Sequence, residues 1–215
     1  MTEKSKTIVS FMQARFPDAK CALHFANPFQ CLVAVMFSAQ TTDQSVNLVT
    51  PALFEAFPSP KELSNAEPEQ VEIYIHRLGL FKNKAKNLVN MAKALMEKHN
   101  GQVPSKKEDL VALPGVGIKT ANVVGAECFG IPAIAVDTHV FRVSYRLGYS
   151  SLSDTPEKVE KILEKAFPQE LHIPLHHQLI HFGRAICHAQ KPDCASCGLT
   201  KYCRLQKNKR STTGK

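Results

Sequence analysis

The chain has 215 residues, 44% apolar and 21% charged, which suits a globular protein with one large domain or two small lobes. Lys and Arg number 27 against 19 Asp and Glu, a net charge of +8 that favours anionic partners such as nucleic acid or an acidic membrane surface. The longest apolar run, Cys31 to Phe37, is far short of the roughly 20 residues of a membrane span, and the N-terminus MTEKSKTIVSF is no signal peptide, so an intracellular protein with reduced thiols is expected.

Almost every segment reads as helix. Asn27-Pro28 pairs a capping residue with a proline at the first helical position and opens an apolar segment reaching Ala39. Asp43 can cap the next helix, which Pro51 must break or kink. Pro60 and Pro68 each stand where a helix can begin, and Val71, Tyr74, Ile75 and Leu78 then recur at helical spacing. Lys82 to Lys98 is a long amphipathic helix stopped by Asn100-Gly101. Later helices are expected over Asp137 to Leu147, Pro156 to Phe167 and His176 to Cys187. The one strand signal, Ile131 to Val136, is short, so the fold class is all-α. The last third, rich in histidine and cysteine, suggests a second lobe, and a basic tail expected to be mobile closes the chain at Lys207 to Lys215.

The most informative stretch is LPGVGIK, Leu113 to Lys119, between a short helix (Lys106 to Ala112) and an apolar one (Ile118 to Phe129). Gly115 and Gly117 allow backbone angles closed to other residues, and no side chain would cover their amides. Those amides precede a helix N-terminus, where unpaired N–H groups and the dipole favour an anion, such as a nucleic-acid phosphate. Lys119 follows in the first helical turn, an odd place for a cation.

Seven cysteines in a reducing compartment are not a disulfide framework. Cys187, Cys194, Cys197 and Cys203, spaced C-x6-C-x2-C-x5-C, can close around one metal centre. Structural zinc usually takes two C-x2-C pairs from separate segments, and here there is one, which favours the larger perimeter of a [4Fe–4S] cluster while leaving zinc open. Cys31 and Cys128 lie in apolar helical segments and read as core residues.

Taken together, SAQTTD (Ser38 to Asp43), GLFKNKA (Gly79 to Ala85), LPGVGIKTANVV (Leu113 to Val124), AVDTHVFRV (Ala135 to Val143) and the cysteine quartet resemble the endonuclease III family, iron–sulfur DNA glycosylases of the helix-hairpin-helix superfamily. The resemblance spans about Asn27 to Cys203. It implies two α-helical lobes gripping DNA in a cleft between them. Residues 23–131 would form a six-helix barrel with the helix-hairpin-helix at about 106–129, and residues 1–22 with 132–206 a [4Fe–4S] lobe. The implied partner is double-stranded DNA with a damaged base or abasic site, bound by a monomer in the cytoplasm of a bacterial-type cell, with no membrane involved.

By the same resemblance Lys119 is the nucleophile that attacks C1′ of the damaged nucleotide and forms a Schiff base. With an ordinary lysine pKa of about 10.4, little free amine exists at neutral pH. A helix N-terminus disfavours the cation by only about 0.3–1 kcal/mol, so partial burial has to supply most of any shift. Without the family, Lys119 could simply touch a phosphate. Asp137 matches the catalytic carboxylate, although an aspartate at a helix start is also an ordinary N-cap. His139 either lines the cleft or is an ordinary helix histidine. Gln40 would fill the gap left by an extruded nucleotide and Leu80 would wedge between bases. Arg184 and Lys191 bracket the first cluster cysteine and would meet phosphates, as Gly115 and Gly117 would, unless they are merely solvated charges.

The implied reaction removes an oxidised pyrimidine and cleaves the strand by β-elimination. The adenine-specific branch carries a catalytic glutamate on the early helix, and NPFQCLVAVMFSAQ has no carboxylate. A non-catalytic DNA-binding module is the alternative from another class, against which Lys119 and Asp137 together argue.

Overall fold

Polar caps and prolines set the helix starts in the computed structural model, which describes residues 1–207. From residue 208 on, the expected basic tail lies outside the described residues. The helices are α1 (Glu3–Arg15), α2 (Pro28–Phe37), α3 (Asp43–Ala56), α4 (Pro60–Ser64), α5 (Pro68–Ile75), α6 (Phe81–His99), α7 (Lys107–Val111), α8 (Ile118–Phe129), α9 (Thr138–Arg146), α10 (Pro156–Ala166) and α11 (His172–Ala185). Pro28, Pro60, Pro68 and Pro156 each open a helix, where no amide is needed and φ is already set. The all-α expectation holds: no strand occurs among the described residues. Ile131 to Val136 is an irregular connector whose apolar residues Ala133 to Val136 are buried without pairing.

Three local expectations change. Thr42, not Asp43, caps α3, its Oγ1 accepting from the Ser45 amide at 3.2 Å. Asp43 takes the first turn instead, where the dipole favours a carboxylate. Pro51 does not end α3, which runs on to Ala56. Pro51 is exposed, so the backbone carbonyl it leaves without a partner can turn to water. Finally, α11 begins at His172 rather than His176, because Pro174 lies in the first turn, where its missing N–H costs nothing.

The chain divides into two compact units, Ala22–Ile131, and Met1–Cys21 together with the chain from Pro132 on. In the first, α2 is apolar on every side because it is buried on every side, from Cys31 to Phe37. It packs against α3, α6 and α8, while α6 also packs on α4 and α5. Leu53, Leu63, Ile75, Leu88, Met91 and Leu95 fill the interior. In the second unit α11 packs on α9 and α1, and α9 on α10. Ile8, Val9 and Met12 of α1 join Ile134, Val140, Val143, Leu163 and Phe182 in its core. That makes the charged N-terminal segment structural: Thr2 caps it and every third or fourth residue is buried.

Candidate active site

The glycine loop is held down by the buried residues Leu113 and Val116, the Val116 amide donating to the Leu113 carbonyl at 3.1 Å. Gly115 has φ +77°, and a Cβ there would lie 2.9 Å from Asn87 Cβ and 3.1 Å from Met36 Cε. Backbone angle and close packing both demand glycine. Gly117 differs from expectation. It is the N-cap of α8 at φ −93° and ψ 173°, ordinary extended angles, and a Cβ there would meet nothing within 4 Å. What it provides is bareness: no side chain caps the first amides of α8, which are left for an outside acceptor.

Lys119 is the second residue of α8, with an exposed side chain. The partial burial expected of it is absent from the chain by itself, because the loop before it is too bare to cover it. The same unit carries two residues in the left-handed region, Gln40 at φ +55° and Leu80 at φ +58°. Such angles cost a non-glycine residue about 1–3 kcal/mol and persist where function or surroundings hold them. Leu80 is 60% exposed at the start of α6, an apolar side chain projecting into solvent.

Lys84, inside the GLFKNKA motif but assigned no role from sequence, holds this region together. Its ammonium donates to the Phe37 carbonyl at 2.7 Å and to Thr41 Oγ1 at 2.5 Å. Burial pushes the Lys84 pKa down. Only the three-dimensional approach of α6 to the end of α2 reveals this contact; the signal in sequence was merely a lysine four residues after Leu80.

Asp137 caps α9 in the other unit: its Oδ1 accepts from the Val140 amide at 2.7 Å. The cap fixes the carboxylate while engaging one oxygen, so Oδ2 remains available to another group. His139 is half-buried, and burial pushes its pKa down against the opposing pull of Asp137. Arg142 donates from Nη2 to the Gly183 carbonyl at 2.9 Å and from Nε to the Cys187 carbonyl at 3.0 Å. A Cβ on Gly183 would come within 3.0 Å of His139 Cβ, which is how α9 and α11 approach so closely.

The four cysteines line one pocket, together with Arg146, Ile186, Pro192 and Leu205. Cys187 is buried and the other three are partly so. No three His, Cys, Asp or Glu side chains converge tightly enough to hold a single metal ion among the described residues. Four thiols lining one pocket are a donor set that can serve either a [4Fe–4S] cluster or a tetrahedral zinc. Burial pushes the Cys197 thiol up, and the other three cysteines push the same way. Crowded thiolates of this kind need a compensating positive centre. Arg146 begins to provide one, Nη1 donating to Cys187 Sγ at 3.3 Å and to the His188 carbonyl at 2.7 Å. Gly198 seats the loop on α1, where a Cβ would fall 2.7 Å from Phe11 Cε2.

Beside this pocket Lys191 is exposed at φ +47°, and Arg184 is exposed near the end of α11. Both lie on the cysteine unit with Asp137, whereas Gln40, Leu80, Gly115, Gly117 and Lys119 lie on the other. Cys31 is fully buried in α2, as expected of a core residue. Cys128 is only half-buried, and a hydrogen bond with Cys31 holds its thiol below the usual range. No helix among the described residues is long and apolar enough to cross a membrane.

Residues 33–169 match the model of the HhH-GPD superfamily of base excision DNA repair proteins. Endonuclease III of Bacillus subtilis (strain 168) is 48% identical over 189 residues, 88% of this chain and 86% of its own length. Endonuclease III of Escherichia coli (strain K12) is 42% identical over 200 residues, 93% of this chain and 94% of its own. A solved structure of a trapped endonuclease III–DNA covalent intermediate, an estranged-adenine complex, matches with a TM-score of 0.92 at 46% identity, covering 98% of this chain and 100% of that one.

Proposed function

Because the chain belongs to the endonuclease III family, within the HhH-GPD superfamily of base excision DNA repair proteins, it is a DNA glycosylase with abasic-site lyase activity, and we propose that it removes oxidised pyrimidines through a Schiff base on Lys119. The observation that carries the residue assignment is Lys119 itself, exposed in the first turn of α8 directly after a loop whose amides no side chain covers.

In the proposed reaction a phosphate of the DNA backbone rests on the amides around Gly115 and Gly117, which sets the reach from Lys119 to the extruded sugar. Leu80 wedges between bases and Gln40 takes the place of the extruded nucleotide. Covering Lys119 with DNA strips its water, which favours the uncharged amine that attack requires. The amine attacks C1′, the C1′–N bond to the base breaks, and the base leaves with a proton. Asp137 accepts the proton shed by the amine and stabilises positive charge developing on the sugar. The proton held by Asp137 passes to O4′ as the C1′–O4′ bond opens, and the resulting C1′ iminium acidifies the C2′ proton. Its removal expels the 3′ phosphate by β-elimination, and hydrolysis of the imine frees Lys119. The relative captured as a covalent DNA intermediate is consistent with this route.

Arg184 and Lys191 would add phosphate contacts that set affinity without reading sequence. Cys187, Cys194, Cys197 and Cys203 would hold a [4Fe–4S] cluster, whose service here is to fold the loop that presents Lys191. The enzyme would act as a monomer on nucleoid DNA in the bacterial cytoplasm.

The test is borohydride reduction in the presence of a duplex carrying an oxidised thymine or an abasic site. Wild type gives a covalent protein–DNA complex and Lys119→Gln gives none. Failure of intact wild type to trap either duplex would sink the proposal.

A further inference from the structure

We infer that Lys84 is the positioning residue that locks Gln40 and Leu80 into one rigid element, so that filling the gap and wedging the stack occur together. The inference rests on the proposed roles of those two residues and extends them.

Gln40 and Leu80 come from different segments, yet both hold the left-handed backbone that side chains disfavour, at φ +55° and +58°. Such angles last only where neighbouring bonds over-determine them. Gln40 lies between Phe37 and Thr41, whose carbonyl and hydroxyl accept from the Lys84 ammonium at 2.7 and 2.5 Å, while the Thr41 amide closes the turn on the Ser38 carbonyl at 3.2 Å. Leu80 starts the helix that carries Lys84 one turn later, its carbonyl accepting the ordinary first-turn bond from the Lys84 amide at 3.0 Å. The Lys84 side chain therefore links the turn that carries Gln40 to the helix that starts at Leu80.

A charged group suits the task. The Phe37 carbonyl belongs to the last turn of α2, where the helix dipole favours a cation. Charge also strengthens both hydrogen bonds over their neutral equivalents. No carboxylate pairs with Lys84 among the described residues, so its partners are the carbonyl and the hydroxyl. The neighbouring lysines Lys82 and Lys86 are exposed, and only Lys84 turns inward.

The experiment uses a duplex with a tetrahydrofuran abasic analogue opposite 2-aminopurine, whose fluorescence reports the opposite base leaving the stack. Lys84→Met should lower affinity for this duplex by about tenfold, because Gln40 and Leu80 are then no longer held in place before DNA arrives, and abolish the fluorescence change. Binding to undamaged duplex should stay as in wild type, the unfolding midpoint should fall by only a few degrees for the two hydrogen bonds lost, and Lys84→Arg should restore part of the signal. Thr41→Val removes one acceptor without touching Lys84 and should weaken the response in the same direction, which carries the test if Lys84→Met does not fold. In a Gln40→Ala background Lys84→Met should add little; full additivity, or an undiminished response in both single variants, overturns the inference. If wild type itself neither prefers the abasic duplex nor alters the fluorescence, the proposed function is what fails.

Discussion

Replacing Gly115 or Gly117 by alanine separates two jobs that the sequence merges in one loop. At Gly115, alanine would have to hold φ +77°, which costs an L-residue about 1–2 kcal/mol. Its methyl would also sit 2.9 Å from Asn87 Cβ, an atom fixed to the backbone of α6, and 3.1 Å from Met36 Cε, which can swing aside. Overpacking of that kind costs about 1–3 kcal/mol, so the total is about 2–5 kcal/mol. In a chain of this length each kcal/mol moves the unfolding midpoint by roughly 2–4 °C. Gly115→Ala should therefore unfold roughly 5–15 °C below wild type. Gly117→Ala has ordinary angles and nothing within 4 Å of its new methyl, so its stability should stay within about 0.5 kcal/mol of wild type. Its affinity for DNA should nevertheless fall, because the methyl stands over the amides offered to a phosphate. Thermal unfolding followed by circular dichroism, paired with duplex binding at fixed salt, reads both. Equal stability of the two variants, or greater damage from Gly117→Ala, would refute the reasoning.

The cap and the chemistry of Asp137 can be parted in the same way. Asparagine caps as well as aspartate, so Asp137→Asn should leave stability nearly unchanged while base release slows by about 10²–10⁴-fold. Asp137→Ala should lose the same activity and about 1 kcal/mol of stability besides, as chemical denaturation would show. Neutralising Arg184 or Lys191 should weaken binding to damaged and undamaged duplex alike and flatten the slope of log affinity against log salt by about 0.9 each; an unchanged slope would make them bystanders. Iron assay of the purified protein should find about four atoms per chain with visible charge-transfer absorbance, and chelation should lower the unfolding midpoint. A single colourless zinc would contradict the assignment of the cysteine pocket.

Caps, prolines and apolar spacing act within a few residues, and so α6, α7, α8, α9 and α10 were legible within a residue of both ends, and α2, α4 and α5 at their proline starts. The misreadings share a cause. Pro51 looks like a helix breaker until one knows that it faces solvent, and the start of α11 lies four residues before His176, with Pro174 in its first turn. Ile131 to Val136 looks like a strand because burial and pairing leave the same apolar pattern. The α1 segment, charged on its surface, showed no sign of being core because its burial depends on α11, more than 150 residues away.

The sequence alone determined the family, the residues offered for chemistry and the four thiols that could share one centre, since motif spacing and residue type are local properties. Tertiary structure decided what each of them is for physically. Gly115 is required by its angle and its contact with Asn87, whereas Gly117 serves by being bare. Asp137 is held by its cap, and Lys84, given no role by the motif it sits in, bonds Phe37 and Thr41 on either side of Gln40. The four thiols, spread over 17 residues of chain, come to line one pocket. Those are matters of distance between segments far apart in the chain, and distance appears only once the helices have packed.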